Sequence, residues 1–270
     1  MICAQASFAQ TEHFALTQLH EASFSSLDRY FGAKQAGFEA GTLSEFELRK
    51  AYVPLYDLNA EDLARLKAWA ARQSKSYAAH LLLGIHYKRR GDAARGTAYI
   101  AKTDPAALRE MDRQFALAST ELGRSAKLTA KPYMTWFFLI SITTSGGSAD
   151  ETRAILDKAV QQYPPSELVR IRYMQSLTPR WGGSYEQMDA FIARSRAEGM
   201  PRRVIAELTA VEEDDKGDTS AASGDERAAF LHFEKALSLA KEADPYLLEQ
   251  GLPFSKYALC NGPHPAANCR

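Results

Sequence analysis

Few residues in this chain stand at spacings that support chemistry. A serine hydrolase needs its nucleophile on a G-x-S-x-G turn, or an S-x-x-K with companion motifs; neither is present, and no cysteine sits in a setting that would activate its thiolate. H-E-x-x-H, which places two histidines one helical turn apart over a zinc ion, is absent too. His80 and His86 would lie about 240° apart around a helix and so face different ways. His13 and His20 could share a face, but only Glu12 and Glu21 add further ligands, so packed or solvated histidines are the better reading. No metal and no cofactor is expected.

The remaining polar groups divide between binding and structure. Gly146-Gly147-Ser148 and Gly182-Gly183-Ser184 each lead into a helix start, where free amides attract anions. Two glycines before a capping serine are also what a tight helix-to-helix turn needs, and that reading is preferred. Around the second of them, in PRWGGSYE, Arg180, Tyr185 and Glu186 with Arg170 would line the polar pocket of a hydrolase-like enzyme, the rival to a binding protein. Trp181 reads as a wedge between helices in preference to an exposed anchor. Lys88, Arg89, Arg90 and Arg95 form the densest basic patch, explained by cations at a helix C-terminus. The candidate partner-binding residues are Lys88, Arg89, Arg170, Tyr173, Arg180, Trp181 and Tyr185. The acidic run Glu212 to Asp215 reads as a solvated loop.

Charge and hydropathy narrow the classes. Lys plus Arg and Asp plus Glu both total 33, so a 270-residue chain with zero net charge lacks the basic footprint of a nucleic-acid binder. No apolar run approaches a membrane span; YMTWFFLISI is about half the needed length and reads as core. Residues 1–10 resemble the end of a secretory leader, with small Ser7 and Ala9 before Gln10, the alternative being a frayed polar N-terminus. Cys260 and Cys269 form a pair in the tail CNGPHPAANC. They read as a disulfide in an oxidising, periplasmic or secreted setting, against two free thiols in a cytoplasmic one.

The elements that must position these groups are helical throughout. Phe14, Leu19, Phe24, Leu27, Tyr30 and Phe31 approximate a helical face broken near Ser23. Ser44 with Glu47 makes a capping box for a helix that yields before Pro54, and Asn59 caps the next, which buries Leu63, Leu66, Trp69 and Ala70. A helix from Ser76 should turn at Gly91, with a short helix over 93–102, and Pro105 should open a long helix to about Leu122. Further helices follow at YMTWFFLISI, after Ser148, at SELVRIRYMQSL, from Ser184 to Gly199, from Arg202 to Val211, and across RAAFLHFEKALSLAKEADP, with a mobile loop over residues 213–225. The fold class is all-α, with about ten to thirteen helices. Residues 11–75 form an N-terminal helical region, 76–250 a helical-repeat region and 251–270 a tail.

Leu83, Gly84, Tyr87 and Gly91, with Ala229, Phe233 and Ala236 later and Pro164 and Pro245 closing two units, resemble tetratricopeptide repeats over roughly residues 76–245. His80 stands where that family has a tryptophan, and the spacing between units departs from the family's period. The resemblance implies antiparallel helix pairs stacked as an α-solenoid whose surface binds a protein or peptide, without catalysis. Lys88 and Arg89 would match one contributor to the family's carboxylate clamp, although its asparagines are missing. The chain is also similar to bacterial proteins of unknown function with a PRWGG-type turn, which implies a bacterial, exported or envelope protein. By analogy of fold, an immunity-type inhibitor of a toxin is the sharpest expectation.

Overall fold

A computed structural model describes residues 14–96, 102–241, 243 and 252. The leader-like residues 1–10, His13, Cys260 and Cys269 lie outside them. The described residues are all-α, with twelve helices and no strand. In chain order these are α1 (residues 14–20), α2 (Phe24–Glu39), α3 (Glu45–Tyr52), α4 (Ala60–Arg72), α5 (Tyr77–Arg95), α6 (Pro105–Ser125) and α7 (Tyr133–Gly146). Then come α8 (Ala149–Gln162), α9 (Leu168–Ser176), α10 (Tyr185–Ala197), α11 (Arg202–Ala222) and α12 (Glu226–Leu239). They form two compact units. The first comprises Met1–Ser148 with Gln161–Tyr163, and the second Ala149–Val160 with Pro164–Arg270.

Local chemistry sets the helix ends in the first unit. At α3 the capping box closes in both directions: Ser44 N–H donates to Glu47 Oε2 at 2.9 Å and Glu47 N–H to Ser44 Oγ at 3.2 Å. Asn59 Oδ1 accepts from Glu61 and Asp62 N–H, both at 2.9 Å, to start α4. Asp104 caps α6, with Pro105 at the first helical position as the sequence reading expects. The core is aromatic: Phe31 stacks on Tyr52 at 4.7 Å between centroids and on Trp69 at 6.0 Å, and all three are almost wholly buried.

Glycine lets α5 and α6 approach closely. A Cβ on Gly84 would lie 2.6 Å from Leu122 Cγ, and one on Gly91 2.5 Å from the Phe115 ring. Contacts that advance along α5 therefore recede along α6, so this pair runs antiparallel. The expected turn at Gly91 does not occur. Gly91 is buried inside α5, where the Phe115 ring requires the absence of a side chain, and the helix runs on to Arg95. Gly96, whose φ of 67° suits glycine, ends α5, so residues 93–95, the beginning of the short helix expected over 93–102, belong to α5 instead.

In the second unit the PRWGG segment is a 3₁₀ turn over Pro179–Trp181. Gly182 takes φ 86°, and a Cβ on Gly183 would fall 2.0 Å from the Leu177 carbonyl oxygen, so both glycines serve the backbone. Ser184 then caps α10, accepting Gln187 N–H at 3.3 Å, and Gly199 ends it at φ 80°. The reading of residues 213–225 as a mobile loop is overturned for residues 213–222. The helix that begins at Arg202 continues to Ala222, and Glu212, Glu213, Asp214 and Asp215 are 2–5% exposed within it. Gly217 provides the close approach to α12, since a Cβ there would meet the Phe233 ring at 2.3 Å.

Candidate functional site

One face of α2 lines a cleft in the first unit. Asp28, Gly32, Gln35 and Glu39 fall into line through the 3.6-residue period, and the start of α5 with Leu128 and Thr129 forms the opposite wall. The volume is about 410 Å³. Asp28 Oδ1 accepts from Trp69 Nε1 at 3.0 Å and from Ser76 Oγ, while Ser76 caps α5 by accepting Ala79 N–H at 3.1 Å. The carboxylate is thus fixed to the core tryptophan and to a helix start. Eleven residues along, Glu39 Oε1 accepts from Thr129 Oγ1, from Gln35 Nε2 at 2.9 Å and from Lys131 N–H at 3.2 Å. Burial raises the Glu39 pKa, but these hydrogen bonds together outweigh it and hold the carboxyl below its ordinary range. Gln35 also donates to the Lys131 carbonyl at 2.9 Å, and its Oε1 is buried without a partner. Tyr77, at the mouth of α5, is raised well above a free phenol by burial.

A second hollow of about 430 Å³, sharing Leu128 with the first, is lined by His80, Arg124 and Lys127. His80 faces an acceptor with each ring nitrogen: Glu121 Oε2 lies 2.6 Å from Nδ1 and the Ser74 carbonyl 3.1 Å from Nε2. With both nitrogens committed, His80 ties α5 to α6 and has no lone pair turned to a substrate.

The predicted binding residues do not form one constellation. In the first unit Lys88 pairs with Asp92 one turn ahead at 2.6 Å, and exposed Arg89 pairs with Asp57. In the second unit Arg170 is 2% exposed and bonds Glu198 at 2.8 Å, and buried Tyr173 meets the Phe191 ring edge-on at 4.9 Å. These two are core residues, so a partner does not reach them from solvent. Trp181 is half-buried and Glu186 is exposed, its carboxyl lowered by a hydrogen bond from Ser184.

Arg180 and Tyr185, however, converge on α11. Tyr185 OH donates to Asp215 Oδ2 at 3.1 Å, and Arg180 lies 4.0 Å from Asp218. Burial raises the pKa of Asp215 and of Asp218, and pushes Tyr185 up to about 12. The neighbouring acids are bonded within the same unit. Glu213 binds His232 at 2.7 Å and Lys235 at 3.0 Å, Glu212 pairs with Lys216, and Arg203 bridges Glu167 and Glu207. Glu207 is fully buried, and desolvation, then the adjacent Glu167, push it up to about 8. Sequence reasoning missed this band because its partners lie 4 to 36 residues away and only the fold brings the distant ones in. It also missed Asp28 and Glu39, which sit off the apolar spacing of α2, and Gln35, a polar residue on that spacing between Phe31 and Phe38. Among the described residues no group of three or more His, Cys, Asp or Glu side chains is arranged to hold a metal, and no helix is long and apolar enough to cross a membrane. No protein-family model matches the chain, and no curated protein or solved structure matches it either.

Proposed function

We propose that this chain is a non-catalytic, tetratricopeptide-like helical-repeat module that binds a protein partner through the surface of antiparallel helix pairs stacked as an α-solenoid. The observation that carries the reading is the glycine seam: Gly84 and Gly91 against α6, and Gly217 against α12, give each unit a closely packed helix pair of the kind that repeat proteins stack. The cleft along α2 supports it further, since it offers fixed acceptors on a rigid helix. In this reading the protein acts in a bacterial envelope or exported setting, as an immunity-type inhibitor or a scaffold. Affinity capture from native cells should recover a stoichiometric protein partner, and repeated failure to do so contradicts the reading. Location has its own test: mass spectrometry should find the mature chain starting near Gln10 with Cys260 and Cys269 joined, whereas an intact Met1 with both thiols alkylatable without reductant contradicts export.

Catalysis at the PRWGGSYE turn is the competing reading, favoured by the network of Arg180, Tyr185, Asp215 and Asp218 with its raised carboxyls. A hydrolytic activity lost in Asp215→Asn with helix content unchanged would establish it over the binding reading.

A further inference from the structure

We propose that the α2 cleft is a receptor for positively charged nitrogen, taking two ammonium or guanidinium groups of one extended partner segment, one at Asp28 and one at Glu39. The inference rests on the protein-binding reading and names the chemistry of the segment bound.

Three observations carry it. Each carboxylate spends one oxygen on the protein and leaves the other, Asp28 Oδ2 and Glu39 Oε2, without a hydrogen bond among the described residues. The donors on the spent oxygens are neutral: an indole, two hydroxyls, an amide and a backbone N–H. Lys131 gives its ammonium to the Glu39 backbone carbonyl at 2.9 Å and its charge helps to lower the carboxyl, but no hydrogen bond joins the two; among the described residues of the wall the one cation is the exposed Lys75. Between the two carboxylates Gln35, 5% exposed, brings a third acceptor, and its buried Oε1 has no partner. An unpaired buried acceptor is unfavourable until a donor arrives. The floor is open beside it, for a Cβ on Gly32 would meet nothing within 4 Å.

Spacing selects an extended occupant. At 1.5 Å per residue, Asp28 and Glu39 stand about 16 Å apart along the helix. An extended chain covers that in about five residues. Side chains of an extended chain alternate between two faces, so the two that face one wall stand an even number of positions apart. A segment with basic side chains four positions apart spans about 13 Å, reaches both carboxylates through the length of its side chains, and would donate to Gln35 from its middle. A free polyamine has the same nitrogen chemistry, and the test separates the two.

Isothermal titration of the full chain would use three probes: an acetylated, amidated pentapeptide with arginine at both ends and three alanines between, its glutamate counterpart, and spermine. The arginine peptide should bind and the glutamate peptide should not. Asp28→Asn and Glu39→Gln, which keep an acceptor for the structural donors, should each weaken binding about tenfold. Gly32→Leu fills the floor without changing charge and should abolish binding; circular dichroism and thermal melting confirm that each variant is folded. Binding of spermine but not of the arginine peptide overturns the assignment to a protein segment. Absence of binding by either, or binding indifferent to all three variants, overturns the site. If wild type and Gly32→Leu capture the same native partner equally, the protein-binding reading stands and this inference fails; if wild type captures none, the reading itself fails.

Discussion

The two units each carry a set of carboxylates on one helix, and they use them in opposite ways. On α11 Glu207, Glu212 and Glu213 are buried and paired with Arg203, Lys216 and Lys235 of the same unit, with His232 also bonded to Glu213. On α2, Asp28 and Glu39 are half-buried, held by neutral donors, and keep an oxygen each toward a cleft. Burial with an internal cation marks a structural charge, because desolvation is offset within the fold. A carboxylate fixed by neutral donors beside open space keeps its charge for a ligand. The contrast fits packing to α11 and, on the proposed reading, recognition to α2.

The contrast can be broken by mutation. The largest effect should come at the helix seams. Gly84→Leu must displace Leu122 and the Ala118 carbonyl, and is expected to destabilise by about 3 kcal/mol or prevent folding. Gly32→Leu, in an equally helical setting with nothing near its Cβ, should instead stabilise by about 0.5–1 kcal/mol. Chemical denaturation of the two variants measures both.

Next is a pH effect confined to α11. Glu207 titrates near 8 in the folded chain against an ordinary value of 4.5, so between those pH values the folded state binds more protons than the unfolded state. Its contribution is fully present below about 4.5 and is lost as pH rises to about 8, with a slope of up to about 1.4 kcal/mol per pH unit. Glu207→Gln should flatten that slope in melts across the same range. Then Glu213→Ala, which strands His232 and Lys235, should destabilise by about 2 kcal/mol, less than a fully buried pair because both partners reach solvent. Asp28→Asn should alter stability by under about 1 kcal/mol while weakening cation binding. Smallest is Arg89→Ala: its pair with Asp57 is exposed on both sides, and the change should stay within about 0.5 kcal/mol.

Much of the α2–α6 frame was legible in local sequence. Ser44, Asn59 and Asp104 cap where their side chains predict, since a cap depends on residues two or three positions away. The break near Ser23 was legible too, and it falls at Ala22, whose φ is 52°. Gly91 was misplaced because a glycine in sequence signals a turn and a close helix contact alike, and only Phe115 distinguishes them. The run Glu212–Asp215 failed for a related reason. Four consecutive acids cannot show helical amphipathicity, and the Tyr185, Lys216, His232 and Lys235 side chains that permit their burial come mostly from other elements. Arg180 and Tyr185 meet the carboxylates of α11, whereas Arg170 and Tyr173 lie in the core, which was not legible because a short helix of mixed composition does not reveal which face it buries.

Hydrogen–deuterium exchange, read by mass spectrometry with and without the two-arginine peptide, tests the division of labour between the helices most directly. The account predicts slowed exchange in α2 and at residues 73–79, where Asp28, Glu39 and the start of α5 bound the cleft, with α11 and the PRWGGSYE turn unchanged. Protection appearing on α11 or at that turn, with α2 unaffected, would contradict it.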